Sequence, residues 1–192
     1  NEYKVGGKNG DPSGHLALST SPSEDLEKFG RYLERHHAGE FSVKNSSFVD
    51  IGCGNGRNSL YLSERYGLSG YGFDISQEGI KQAKMLAAQK GITNITFEVG
   101  SILNKLPLPD ESQTIVLDLM VSHFLNEAGR KHLLSEIVRV LKPGGWLYFK
   151  TFFKDGDDHA KRLLKDSPGS EPGSYIHPKI GMEEHVFDEE EI

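Results

Sequence analysis

Asp50-Ile51-Gly52-Cys53-Gly54-Asn55-Gly56-Arg57 decides the reading of this chain, because it joins a strand to a helix through closely spaced glycines. Ser47 to Ile51 is a short apolar run suited to a buried strand, and Arg57 to Tyr66 has helical spacing closed by Gly67. A residue without a Cβ lets the backbone turn tightly and lets a ligand lie against the main chain. The helix that opens after Gly56 aims free N–H groups and a partial positive charge at the same spot, which suits a carboxylate or phosphate. Asp74 follows Gly52 by 22 residues, at the end of the next strand-like run, Gly70 to Phe73. An acid at that distance accepts hydrogen bonds from the hydroxyls of an adenosine ribose.

Outward from this loop the pattern alternates strand and helix. Ser76 caps a helix in which Ile80, Ala83 and Ala87 share a face and which Gly91 stops. Ile92 to Val99 reads as a third strand and Gln113 to Met120 as a fourth. Leu133, Leu134, Ile137, Val138 and Leu141 mark an amphipathic helix, and Lys142-Pro143-Gly144-Gly145 turns the chain into a fifth strand, Trp146 to Phe153. Such alternation predicts an α/β fold, a doubly wound and mostly parallel sheet covered on both faces, with ligands at the carboxyl ends of the strands near the switch point. Before it, residues 1–20 read as a Gly-, Asn- and Ser-rich arm, and residues 21–39 as a capping helix that begins with Ser21, Pro22 and the S-x-x-E partner Glu24 and ends at Gly39. Residues 154–187 read as a loop or lid over the substrate. The whole is expected to be one domain. Asp188 to Glu191 has the form of a helix start with Phe187 as a hydrophobic staple, so the natural protein is expected to continue as a helix and further strand, completing the fold.

Composition narrows the function. The 192 residues carry 22 Lys plus Arg against 28 Asp plus Glu, a net charge of −6. From Lys154 onward there are 5 basic and 11 acidic residues, so the whole excess lies there and residues 1–153 are neutral. With no basic stripe to neutralise phosphates, nucleic acid is not the expected partner. The acidic run reads as a solvated surface. A single cysteine, Cys53, leaves no disulfide framework or multi-cysteine zinc cluster within these residues. No apolar run approaches the roughly 20 residues that span a bilayer, and a cytoplasmic protein is the expectation.

The glycines fall at 52, 54 and 56, with an acid at Asp50. A dinucleotide loop, G-x-G-x-x-G, would need its third glycine at position 57, which is Arg57. The G-x-G-x-G spacing instead resembles motif I of the class I S-adenosylmethionine-dependent methyltransferases. Gly72-Phe73-Asp74-Ile75-Ser76 looks like that family's second motif, Leu106-Pro107-Leu108-Pro109-Asp110 like its loop before strand four, and Arg139 to Gly145 like its turn before strand five. The resemblance spans about residues 47–153. The run from Gly52 to Leu62 is also similar to tellurite-resistance and thiopurine-type methyltransferases.

The resemblance implies a Rossmann-like methyltransferase fold and a donor, S-adenosyl-L-methionine, that leaves as S-adenosyl-L-homocysteine. Gly52, Cys53 and Gly54 would line its methionine portion, and Asp50 would orient the loop or the amino group. Asp74 would take the ribose and Ile75 one face of the adenine. Ser101 and Ile102 fall where the family's third strand ends; there the family usually has an acid for the adenine amino group, so Ser101 is a departure. Asp118 would contact the methionine amino group or the substrate. The acceptor is expected to be a small molecule, and no metal is called for. Two other functions fit the loop less well, a nicotinamide-dependent oxidoreductase and a non-catalytic protein that binds the donor as a regulator.

In-line methyl transfer needs alignment and exclusion of water more than it needs a base. A base helps only where the nucleophile must lose a proton. Candidates are His123, which follows the fourth strand, Tyr175 and His177 in the Gly/Pro-punctuated stretch 167–177, His185 and Asp118. His36 and His37 suit a helix C-terminus. Cys53 reads as a small residue of the loop, since little positive charge surrounds it to lower its pKa.

Overall fold

A computed structural model describes residues 19–38 and 46–192. Most of the expected arm, and Gly39, lie outside the described residues. The elements in chain order are α1 (Glu24–His36), β1 (Ser47–Ile51), α2 (Arg57–Tyr66), β2 (Ser69–Asp74), α3 (Gln77–Lys90), β3 (Ile95–Val99), β4 (Gln113–Leu119), a short 3₁₀ turn (Ser122–Phe124), α4 (Glu127–Val140), β5 (Leu141–Lys150), α5 (Asp158–Asp166), β6 (Ser174–Ile176) and β7 (Glu183–His185). Strands one to five form a parallel sheet in the order β3-β2-β1-β4-β5. The chain therefore winds outward from β1 to β3, then crosses back to β4 on the other side of β1. The crevice beyond the carboxyl ends of β1 and β4 is the switch point of a doubly wound sheet.

Alternation along the strands covers both faces. Val49, Ile51 and Val116 pack against Leu133, Ile137 and Val140 of α4. Phe48, Ile115 and Leu117, one residue out of phase, pack against Leu26 and Leu33 of α1 and Leu62 and Tyr66 of α2. Phe29 of α1 also stacks on Tyr148 of β5, ring centroids 4.5 Å apart. A five-residue strand buried on both sides reads as a continuous apolar run, which is why SFVDI stands out in the sequence.

Several boundaries differ from expectation. Helix α1 starts at Glu24 after Ser23, and no side chain caps it locally. The Ser23 N–H donates to Asn58 Oδ1 on α2 at 2.9 Å, so a tertiary partner holds the helix entry that Ser21 and Glu24 were expected to hold. The third strand begins at Ile95, because the Ile92 N–H is spent on the Ala87 carbonyl at the exit of α3. The turn at residues 142–145 lies inside β5: Leu141 pairs with Gln113 and Trp146 with Ile115, so the intervening residues bulge from the ladder. The fifth strand then ends at Lys150, short of Phe153.

The acidic C-terminal stretch, expected as a loop with a solvated face, contains α5 and the antiparallel β6–β7 hairpin. Ala160, Leu163, Tyr175 and Val186 form its own buried cluster. Most of its acids are exposed, but some take partners in the fold: Asp157 caps α5, Glu171 pairs with Arg130, and Glu184 accepts from the Tyr175 hydroxyl. Strands of three residues carry too little alternation to be read from sequence. Phe187, expected as a staple, bridges to Phe153 and packs edge-on against Phe149. Residues 188–191 close as a turn in which the Glu191 carboxylate accepts from the Asp188 N–H at 3.0 Å, the reciprocal half of a capping box.

Helix α4 is capped by Asn126, whose Oδ1 accepts from the Gly129 N–H at 2.9 Å. Asn126→Ala is expected to cost about 1 kcal/mol, the usual value of an N-cap. Chemical denaturation of the two proteins measures it, and an unchanged midpoint would contradict the assignment.

Candidate functional site

The glycine loop runs from β1 into α2 with Gly52, Gly54 and Gly56 all at positive φ, +66°, +54° and +75°. A Cβ on Gly52 would overlap the Cγ2 methyl of Val121, so the loop lies directly against the chain leaving β4. This contact joins the two halves of the switch point. On its other side the loop is tied to β2: the Cys53 N–H donates to the Phe73 carbonyl at 3.0 Å and the Gly54 N–H to Asp74 Oδ2 at 2.7 Å. The second oxygen of Asp74 accepts from the Ser76 N–H at 2.8 Å. Asp74 is thus a fixed carboxylate at the rim, and each oxygen retains a lone pair for a ligand hydroxyl.

Ile75, next in the chain, is 76% exposed, an unusual position for a large aliphatic group beside a buried sheet. Val99 and Leu103 are also exposed on the neighbouring strand and loop. Ser101 lies between them, its Oγ accepting from the Leu103 N–H at 3.2 Å. Together they give an apolar shelf with a hydroxyl at its edge. A cavity of about 190 Å³ opens behind it, lined by Phe73, Glu98, Ser101 and Lys105 among others. Ile102 turns its side chain into the core, leaving only its backbone for a ligand.

Asp50 is buried at the end of β1, and its Oδ2 accepts from the Ser59 hydroxyl on α2 at 2.6 Å. Burial pushes its carboxyl up to about 7, against the lowering effect of the Ser59 bonds. Asp118 lies on β4 opposite Ile51, one residue beyond Asp50, and is also buried. Both its oxygens accept from Ser122, from the N–H at 3.2 Å and from the hydroxyl, so it shapes the turn after β4. Burial raises its pKa. Cys53 is buried in a cluster with Leu60, Ile80 and Phe97, and burial pushes its thiol up, which makes it inert.

Beyond the 3₁₀ turn, a cavity of about 270 Å³ lies between that turn and the β6–β7 hairpin. His123 and His185 both line it. His123 is 2% exposed, and its Nδ1 has no hydrogen-bond partner among the described residues. Phe124 and Phe152 flank its ring. Burial lowers its pKa to about 4, so at neutral pH it is an uncharged imidazole. The structure does not bring Tyr175 and His177 to this cavity. Tyr175 is buried in the α5 cluster with its hydroxyl on Glu184, and burial raises its pKa further. His177 Nδ1 faces the N–H groups of Lys179 and Ile180 in the hairpin turn.

Sequence reasoning missed Val121, Phe124, Glu171 and Glu183, which complete the crevice and the second cavity. A backbone signal accompanies them: Met120, expected as strand, takes a φ of +64° at the exit of β4. Strain of this kind collects at sites that must re-aim a chain. No sequence motif announces it. Among the described residues, no group of three His, Cys, Asp or Glu side chains is placed to hold a metal ion, and no helix is long and apolar enough to cross a membrane.

Residues 48–145 match the family described as methyltransferase domain. The chain is 32% identical over 123 residues to a probable chloroplastic tocopherol O-methyltransferase of Oryza sativa subsp. japonica, covering 64% of this chain and 33% of that protein. It is 27% identical over 155 residues to a fatty-acid O-methyltransferase of Mycolicibacterium smegmatis, covering 80% of this chain and 54% of that one. The chain thus spans about half or less of the curated relatives it matches. Among solved structures, the PH0226 protein of Pyrococcus horikoshii OT3 superposes with a TM-score of 0.64 at 22% identity, covering 88% of this chain and 78% of that one. That likeness is one of fold.

Proposed function

The chain belongs to the methyltransferase domain family, and from that premise we propose that it binds S-adenosyl-L-methionine and methylates a small-molecule acceptor. The observation that carries this reading is the Asp74 carboxylate, fixed by the Gly54 and Ser76 amides beside the exposed Ile75. The crevice fits the donor: a side-chain-free turn for the amino-acid tail, a carboxylate for the ribose, and an apolar shelf for the adenine. Gly52, Cys53 and Gly54 would hold the methionine portion, Ser101 and the Ile102 backbone the adenine edge, and Asp50 and Asp118 would set the two loops. When bound, the sulfonium supplies the methyl group as an electrophile. The chain's residues align and desolvate. His123, uncharged and buried, would touch the acceptor, whereas Tyr175 and His177 would serve through the hairpin. The small-molecule acceptor is supported by relatives named for tocopherol and fatty-acid methylation.

Asp50 gives the reading a signature. Its raised pKa means that its neutral form is favoured in the folded chain; the stability this contributes is full below about pH 4 and is lost as pH rises through about 7. A bound ammonium nearby reverses the preference, so binding near pH 7 should expel about half a proton. Calorimetry with S-adenosylhomocysteine in two buffers of different ionisation enthalpy reads this directly. The expected result is buffer-dependent heat in the native protein, buffer-independent heat in Asp50→Asn, and no heat with NAD. Heat with NAD alone would overturn the proposal.

A further inference from the structure

We propose that the cavity under the β6–β7 hairpin takes an amine carried on a small apolar body as the methyl acceptor. This rests on the methyl-transfer reading above and names the acceptor's chemistry. The cavity's volume, about 270 Å³, is that of roughly nine waters and so holds a molecule of about ten heavy atoms. Leu103, Phe124 and Leu125 give it an apolar wall.

The charge on the opposite wall is unbalanced. Arg130 serves two of the acids, pairing with Glu171 and standing 4.0 Å from Glu191. Glu191 also holds His185 Nε2 at 2.9 Å, and His185 Nδ1 stands 3.7 Å from Glu171. Among the described residues, Glu183 has no such cation. Its oxygens accept from the Ser170 N–H at 2.6 Å, the Ser170 hydroxyl and the Ser174 hydroxyl, all neutral donors. These bonds hold its carboxyl below the usual range, so it is charged at neutral pH. An anion held only by neutral dipoles at a cavity wall attracts a cation.

His123 is the independent second observation. It is nine-tenths buried and more, lines the cavity, and leaves Nδ1 without a partner among the described residues. As an uncharged imidazole on the lining it adds no positive charge to compete with a bound cation. It is also too weak a base to ionise an alcohol.

The chemistry agrees with the charge. The bound ammonium first gives one N–H proton to water, which frees its lone pair; that pair forms the new N–C bond as the C–S bonding pair leaves with sulfur, and positive charge ends on nitrogen. A secondary amine then gives its proton to water; a tertiary one has none to lose. A carboxylate at the wall stabilises the charge as it develops on nitrogen. A carboxylate or phenolate acceptor would instead be repelled by Glu183.

The test is calorimetric binding of N-methylphenethylamine, phenethyl alcohol and 3-phenylpropionate to the protein, with and without saturating S-adenosylhomocysteine. The amine should bind at least tenfold tighter than the other two. Glu183→Gln should reduce that preference to about threefold or less while S-adenosylhomocysteine and the alcohol bind as before. In the native protein, raising salt should weaken the amine and leave the alcohol unchanged, which decides the matter even where the variant does not fold. Equal or tighter binding of the carboxylate or alcohol, no binding of any of the three, a preference that survives Glu183→Gln, or one indifferent to salt would each overturn the proposal. If the three ligands rank as expected while S-adenosylhomocysteine does not bind, the methyl-transfer reading fails and the amine site stands.

Discussion

Replacing Gly52 by alanine is expected to weaken S-adenosylhomocysteine binding about thirtyfold and to destabilise the protein by about 2–5 kcal/mol. Two independent costs add. The backbone at residue 52 has a φ of +66°, a region that costs a side-chain-bearing L-residue about 1–2 kcal/mol. The new methyl also lands on the Val121 side chain, and overpacking of this kind costs about 1–3 kcal/mol. Part of the second cost is relieved by moving Val121, which opens the switch-point crevice and misplaces the loop against the donor. A loss of about 2 kcal/mol in binding corresponds to the thirtyfold figure. The two costs can be separated. Val121→Ala removes the obstruction but not the backbone strain, so the double variant should recover the crowding part and retain the rest, a coupling that a double-mutant cycle measures. Titration calorimetry and thermal melts on the four proteins supply the numbers. A Gly52→Ala protein that melts and binds like the native one would show that the loop is not pressed between Val121 and the donor.

That crevice is where sequence and structure agree most closely, and the reason is physical. The G-x-G-x-G turn, the Ser76 cap and the Gly91 stop are local devices; each is specified by residues within a few positions of where it acts. The doubly wound sheet was legible because strands buried on two faces show as uninterrupted apolar runs. What escaped is non-local. The entry to α1 is fixed by Asn58, 35 residues away, so the capping box at Ser21 is a local preference overruled by a tertiary bond. Tyr175 and His177 sit at suggestive positions in the sequence, but the phenol is turned inward to Glu184 and the imidazole closes its own turn. His123 meets His185 across a cavity although 62 residues separate them in the chain. Net charge was a fairer guide: most acids from Lys154 onward are exposed, as a solvated surface requires. What it does not show is that the hairpin folds Glu171 onto Arg130 and Glu184 onto a tyrosine.

Asp74→Ala is expected to weaken S-adenosylhomocysteine binding by about 1–3 kcal/mol, about five- to hundredfold, the range for leaving a polar contact unmade. The geometry says why asparagine should fare little better. Both carboxylate oxygens of Asp74 accept backbone N–H groups, from Gly54 at 2.7 Å and Ser76 at 2.8 Å. An amide replaces one acceptor by an NH₂ donor, which would face a second donor at either place, so one of the two loop bonds is lost whichever way the side chain turns. The proposed ribose contact and the loop anchor would thus fail together, although the side chain keeps its size and shape. Glutamate keeps the charge but adds a methylene, and cannot reach both amides from the same backbone position. The order expected is therefore native far above asparagine, glutamate and alanine, with the three variants close together. The ligand series sharpens this. Adenosine should lose affinity in step with S-adenosylhomocysteine, because the contact is to the sugar. Methionine, which the proposed site would hold at Gly52 and Cys53, should lose less. Equal losses for adenosine and methionine would mean that Asp74 acts only by holding the loop, and an unchanged affinity for all three would remove it from the site.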